Sequence, residues 1–177
     1  KPPSLTFEHA AAVPVSAITA LQALRDAGRL QAGQRVLVIG ASGGVGSYAV
    51  QIAKALGGQV TGVASTAKLD LVRALGADHV IDYTVEDYAD GAHRYDLILD
   101  NVGNHSMAET RRVLTPTGTL ISNGGGHVGG KLGRTLRTML VATFVRQQAG
   151  PTVKTQNRDD LVVLTELVED GMVTPVI

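Results

Sequence analysis

The chain has 177 residues, 44% of them hydrophobic, and its sixteen Lys and Arg are balanced by sixteen Asp and Glu. That is enough apolar material for one sizeable core and too little basic excess for a protein whose main task is to hold nucleic acid. The sequence has no cysteine, no HExxH-type histidine spacing and no apolar run near the ~18 residues of a membrane span, so disulfides, thiolate catalysis and a transmembrane segment are excluded and a cytoplasmic protein without a metal is expected.

Residues 1–30 read as a leading helix. Ala10 to Ala12 begin it, a break is expected near Pro14, Ile18, Leu21 and Leu24 continue the apolar series, and Gly28 stops it. The run Arg35 to Ile39 is continuously apolar after its first residue, the mark of a strand buried on both faces. After a glycine turn, Val45, Ala49, Ile52, Ala53 and Leu56 fall on one face of a helix that Gly57 and Gly58 end. A strand follows at 59–64, a helix at about 68–75 stopped by Gly76, and a short strand at 79–82. The spacing then predicts a strand at 95–99, a helix at 106–114 closed by Pro116 and Gly118, and a strand at 119–122. Six glycines between 124 and 133 exclude a stable helix or central strand there, and 134–177 is expected to hold C-terminal helices and a strand.

Strands alternating with helices over 35–123 predict an α/β fold in a single domain, a Rossmann-like doubly wound parallel sheet with helices on both faces. Charge is unevenly placed. Residues 76–109 carry eight acids and one formal base, Arg94, whereas 110–158 carry eight bases and no acid. Two oppositely charged solvated faces account for this in preference to an electrostatic partner site.

The strongest chemical signal is Gly40-Ala41-Ser42-Gly43-Gly44-Val45-Gly46, lying between a buried strand and an amphipathic helix. Glycines there let the chain turn sharply, let a pyrophosphate approach the backbone and let the helix pack on the sheet, while the helix N-terminus favours the anion. Ala41, Ser42, Gly43, Gly44, Val45 and Gly46 are therefore candidate cofactor ligands. No GK[ST] follows, which excludes a triphosphatase loop, and no tyrosine has a lysine four residues later, which excludes a short-chain dehydrogenase. A dinucleotide site for NAD, or a methyltransferase, would place an acid at the end of the second strand; no acid occurs from Ala41 to Leu69. That strand instead runs into Ser65, Thr66 and Lys68, which suit a 2′-phosphate and so favour NADPH, with Arg73 a further candidate. Ser65 and Thr66 equally fit a helix-capping role.

The chain resembles the zinc-independent medium-chain reductases of the quinone oxidoreductase or zeta-crystallin type. The resemblance rests on Glu8 to Pro14, Thr19-Ala20, Gly40 to Gly46, Leu75 to Tyr83, Asp96 to Gly103 and Gly118 to Leu120. It implies that the glycine turn holds pyrophosphate and that Ser65, Lys68 and Tyr83 surround the 2′-phosphate. It further implies that Asn101, Val102 and Gly103 line the ribose and nicotinamide path, and that Ser122, Asn123, Gly124 and Gly125 pass the nicotinamide end. Such enzymes also carry a GroES-like catalytic β domain that this chain lacks. The resemblance therefore implies an NADPH-binding domain whose small-molecule substrate, a quinone or α,β-unsaturated carbonyl, binds at an interface with the missing domain, the domain alone being inactive. Pairing of nucleotide-binding domains edge to edge into a homodimer is a further implication. The competing readings are a redox-sensing or structural dinucleotide module without turnover and the cofactor domain of a zinc alcohol dehydrogenase; the residues upstream would separate them.

Overall fold

A computed structural model describes residues 1–123 and 157–177, and the backbone of 148–150. The strands are β1 (Arg35–Ile39), β2 (Gln59–Ala64), β3 (His79–Asp82), β4 (Tyr95–Asp100), β5 (Leu114–Ser122) and β6 (Gln148–Gly150). They form one six-stranded sheet in the order β3-β2-β1-β4-β5-β6, every neighbouring pair parallel. The helices are α1 (Phe7–Leu21), α2 (Gly44–Ala55), α3 (Leu69–Ala74), α4 (Met107–Arg112) and α5 (Arg158–Glu169). This is a Rossmann-like doubly wound fold, as the sequence leads one to expect.

The two-residue period of β1 sends alternate side chains into separate cores. Val36 and Val38 join Ala49, Ile52 and Ala53 of α2, Leu21 and Leu24 of the leading segment, and Leu164 of α5. Leu37 and Ile39 face the opposite way, into a cluster with Tyr88, Tyr95, Ile98, Val113 and Leu114. Both faces being covered explains why β1 and β4 are almost continuously apolar.

Three departures from expectation have local causes. Helix α1 runs through Pro14 without a break, since a half-exposed proline forfeits its own N–H bond while the rest of the turn is held by neighbours. The irregularity comes later, as a π-helical segment at Gln22–Ala27, closed when the Gly28 N–H donates to the Ala23 carbonyl at 2.8 Å. Gly28 keeps an ordinary helical φ; what it needs is room, because a Cβ there would lie 2.4 Å from Leu97 Cδ1. Arg29 takes the left-handed conformation instead, at φ 47°.

The second departure is β5, which starts at Leu114 rather than 119 and includes Pro116 and Gly118. Its register jumps from Tyr95 opposite Leu114 to Leu97 opposite Thr119, so the proline sits in an irregularity of the ladder, where its missing N–H costs little. Helix α4 is correspondingly short, with Ser106 and Glu109 forming a reciprocal capping box at its start. Third, the 68–75 helix is preceded by a 3₁₀ turn, Thr66–Lys68, and α3 begins only at Leu69.

Helix α5 is anchored by a buried carboxylate. Asp160 is 2% exposed and accepts from Gln22 Nε2 at 2.7 Å, Arg25 at 2.6 Å and Asn157 Nδ2 at 2.8 Å. Burial opposes its ionisation, but these bonds together outweigh burial and hold the carboxyl below its ordinary range. The chain after α5 is tied to α2 by Gln51, whose side chain accepts from Thr174 N at 2.7 Å and donates to Thr174 O at 3.0 Å. Among the described residues no helix is long and apolar enough to cross a membrane.

Candidate functional site

The sheet order reverses between β1 and β4, whose neighbours β2 and β5 lie to either side. In such sheets the loops leaving the two central strands diverge at their C-terminal ends and open a crevice. Every described residue singled out for the site lies at that edge. Gly40 to Gly46 follow β1, Ser65 to Lys68 follow β2, Tyr83 follows β3, Asn101 to Gly103 follow β4, and Ser122 and Asn123 end β5. Gly124 and Gly125 lie outside the described residues, as does the glycine-rich stretch that contains them.

The glycine turn is built in two parts. Gly40 sits at φ +75° and the Ala41 N–H donates to the Val63 carbonyl at 3.0 Å, which locks the exit of β1 onto β2. That bond uses the Ala41 N–H, so Ala41 shapes the turn and offers no backbone donor to a ligand. Gly43 is the N-cap of α2, and the N–H groups of Gly44, Val45 and Gly46 in its first turn have no intrahelical acceptor. These donors, with the helix dipole behind them, form a ready anion cradle. A Cβ on Gly43 would meet nothing nearer than the Gly40 carbonyl oxygen at 3.4 Å, so the glycine leaves open space on the exposed side of the cradle. Gly46 is different. A Cβ there would lie 2.0 Å from that same oxygen, and the glycine lets α2 press against the end of β1.

At the end of β2, Ser65 caps the 3₁₀ turn through its backbone only; its hydroxyl makes no capping bond. Among the described residues neither that hydroxyl nor the exposed Lys68 ammonium has a hydrogen-bond or ion-pair partner. Tyr83 is 56% exposed and held through its N–H to the Ala64 carbonyl at 3.1 Å. Ser65, Lys68 and Tyr83 thus surround one corner of the edge with unspent polar groups. Thr66 is not equivalent to them, because its hydroxyl donates to Asp82 Oδ2 at 2.5 Å.

Across the centre the side-chain amides form a directed chain. Asn101 Nδ2 donates to the Ile39 carbonyl at 3.1 Å, and Asn123 Nδ2 donates to Asn101 Oδ1 at 3.2 Å. The chain ends on Asn123 Oδ1, a buried acceptor with no partner among the described residues. Such an acceptor is ordinarily met by an ordered water or by a further donor. Val102, 49% exposed, lies against the glycine turn: a Cβ on Gly40 would meet its Cγ2 at 2.9 Å.

Two acids that sequence reasoning passed over organise these loops. Asp100 is buried and its Oδ1 accepts from Val102 N at 3.0 Å and Gly103 N at 2.7 Å, which curls the loop after β4. Asp82 does the same after β3, accepting from Thr84 N at 3.0 Å and Thr84 Oγ1 at 2.7 Å. The Thr66 and Thr84 hydroxyls hold the Asp82 carboxyl below the usual range. The available signal was an aspartate closing a β-branched or leucine-rich strand just before a turn, where a carboxylate commonly gathers backbone N–H groups. A cleft of about 260 Å³ beside Tyr83, lined also by Tyr88, Asn104 and His105, was likewise not legible. Among the described residues no group of three His, Cys, Asp or Glu is placed to hold a metal ion.

The donors, the open space at Gly43 and the unspent Ser65 and Lys68 fit a phosphorylated dinucleotide lying along the edge. Comparison with known proteins gives the family. The zinc-binding dehydrogenase family model matches residues 44–148. A mitochondrial NAD(P)H oxidoreductase of Mus musculus is 49% identical over 110 residues, which are 58% of this chain and 28% of that protein. The chloroplastic NADPH-dependent alkenal/one oxidoreductase of Arabidopsis thaliana is 34% identical over 179 residues, 100% of this chain and 41% of its own length. Among solved structures, the quinone oxidoreductase from Coxiella burnetii superposes with a TM-score of 0.81 at 30% identity, covering 96% of this chain and 51% of that one. The chain therefore spans less than half the length of these curated relatives.

Proposed function

The chain belongs to the zinc-binding dehydrogenase family of medium-chain dehydrogenases and reductases, and on that premise we propose that it is the NADPH-binding part of an oxidoreductase that reduces a quinone or an α,β-unsaturated carbonyl. The observation that carries the reading is the pair Ser65 and Lys68, both unspent, at the end of a β2 that carries no acid. The names of the relatives support the substrate class, one being an alkenal/one reductase and another a quinone oxidoreductase.

The bound nicotinamide supplies the hydride. The residues of this chain bind and orient. The first-turn N–H groups of α2 take the pyrophosphate, Ser65 and Lys68 take the 2′-phosphate with Tyr83 beside them, and Val102 and Gly103 border the ribose. Asn101 and Asn123 would border the nicotinamide end, with Asn123 Oδ1 as an acceptor there. The alternative cofactor, NADH, lacks the group that Lys68 and Ser65 would hold.

The magnitude can be bounded. A charge-assisted contact contributes about 1.5–3 kcal/mol when shielded, and the exposure of Lys68 reduces that. One surviving contact of about 1.4 kcal/mol gives roughly a tenfold preference for NADPH. The test is titration of the chain and of Lys68→Ala with NADPH and NADH at two ionic strengths. Wild type should bind NADPH at least about tenfold more tightly, Lys68→Ala should weaken NADPH alone, and salt should narrow the gap. Equal affinities for both cofactors in both proteins would remove the reading.

A further inference from the structure

The ribose-binding acid of an NAD site stands at the end of β2. Here that strand ends in Ala64, but Ala64 is the direct register partner of Asp82 on β3. A carboxylate is therefore level with the vacant position and one strand spacing away, roughly 4.8 Å. A search along the sequence for an acid after the glycines cannot find it, because it arrives by strand pairing.

This carboxylate is capped. Thr66 Oγ1 donates to Oδ2 at 2.5 Å, and Thr84 donates to Oδ1 through its hydroxyl at 2.7 Å and its N–H at 3.0 Å. Each threonine hydroxyl has one proton, and both are spent on Asp82. The 3.0 Å approach of the two hydroxyl oxygens is thus a consequence of sharing one acceptor. Asp82 retains only 7% exposure.

We propose that Thr66 is a specificity-determining residue that sets cofactor choice by masking Asp82. With the Thr84 N–H, the two hydroxyls take three of the carboxylate's roughly four acceptor sites and cover it from the 2′-OH of NADH, leaving Ser65, Lys68 and Tyr83 to face the adenosine end. This rests on the reading that the adenosine ribose lies over the end of β2. Without the cap, the carboxylate accepts the 2′-OH and repels a 2′-phosphate, and both effects move preference toward NADH.

The experiment compares NADPH and NADH affinities, by titration, for wild type, Thr66→Ser, Thr66→Ala and Thr66→Ala with Asp82→Asn. The ratio of NADH to NADPH Kd should fall at least about fivefold in Thr66→Ala, stay near wild type in Thr66→Ser, and recover when Asp82 is also replaced. Thr84→Val removes the hydroxyl from the other oxygen while its N–H bond remains, and should shift the ratio the same way by less, which keeps the test intact if the double variant does not fold. A threonine with a purely structural role would weaken both cofactors alike. A ratio within twofold of wild type in Thr66→Ala, or a fall that persists without the Asp82 carboxylate, overturns the proposal. The wild-type ratio is a separate readout. If wild type already prefers NADH and Thr66→Ala moves it further in an Asp82-dependent way, the NADPH assignment fails and the masking role stands. If wild type binds neither cofactor, both fail.

Discussion

The two glycines at the start of α2 should respond in opposite ways to substitution. In Gly46→Ala the new Cβ would lie 2.0 Å from the Gly40 carbonyl oxygen and 2.8 Å from Ala41 Cα, where heavy atoms need about 3.5 Å or more. Neither partner can yield cheaply. Both are backbone, and the Ala41 N–H to Val63 bond at 3.0 Å and the Gly43 N–H to Gly40 bond at 3.1 Å pin them. Helix α2 must shift, carrying Ala49, Ile52 and Ala53 out of their packing against β1. Overpacking by one carbon costs about 1–3 kcal/mol, and the rigid surroundings place this site at the upper end. In a domain of this size ~3 kcal/mol lowers Tm by roughly 6–12 °C. Gly43 has an ordinary φ of −82° and no contact under 3.4 Å, so Gly43→Val should cost about 1 kcal/mol as an altered N-cap, a fall of roughly 2–4 °C. Its side chain would nevertheless crowd the anion cradle, and dinucleotide affinity should drop at least about tenfold, or ~1.4 kcal/mol. Thermal unfolding followed by circular dichroism, paired with cofactor titration, reads both. A Gly46→Ala protein melting within 2 °C of wild type, or unchanged affinity in Gly43→Val, refutes this division between packing and binding.

Three further perturbations probe the scaffold. Asp160 is held below its ordinary value of 3.8, so its contribution to stability is complete above that value and is lost as pH falls through its lower folded value; the Tm gap between wild type and Asp160→Asn should be full at about pH 5 and shrink below about pH 4. Gln51→Leu removes both bonds to Thr174, and since Thr174 is exposed water replaces them; its amide should exchange at least about tenfold faster while Tm falls by under about 3 °C. Gly28→Ala drives a Cβ to 2.4 Å from Leu97 Cδ1, the end of a core side chain, and should lower Tm by roughly 2–6 °C without altering cofactor preference, checked by melting and titration.

Strand β1 is legible because a parallel strand covered on both faces is written as a short unbroken apolar run, β2 and β3 through the helix stops that frame them, and the stops at Gly57 and Gly76 because both take positive φ. Pro14 misleads, since a local rule about proline says nothing of the neighbours that hold α1 straight. The same holds for Pro116 and Gly118, which look like a helix terminator and a turn but fill an irregular stretch of β5 whose register is set by Tyr95 and Leu97 on β4. In each case tertiary pairing overrides a correct local preference.

The site divides along the same line. Residues that act through their own backbone or their place at a strand end, such as Gly43, Gly46, Ser65 and Lys68, are visible in order along the chain. Asp82 and Asp100 are not, because their effect depends on what lies beside them: Ala64 across the sheet for one, the curled N–H groups of Val102 and Gly103 for the other. The absence of acid between Ala41 and Leu69 is a fact about one strand, whereas the field at the adenosine end is set by two. A carboxylate with its lone pairs committed to threonine hydroxyls presents much less negative potential to a ligand than a free one, since the donors' dipoles oppose its charge at short range. Under the proposed function, cofactor choice at this edge is a balance between the Lys68 cation and a covered anion one strand away, and it is the cover, more than the missing acid, that a change of cofactor would have to remove.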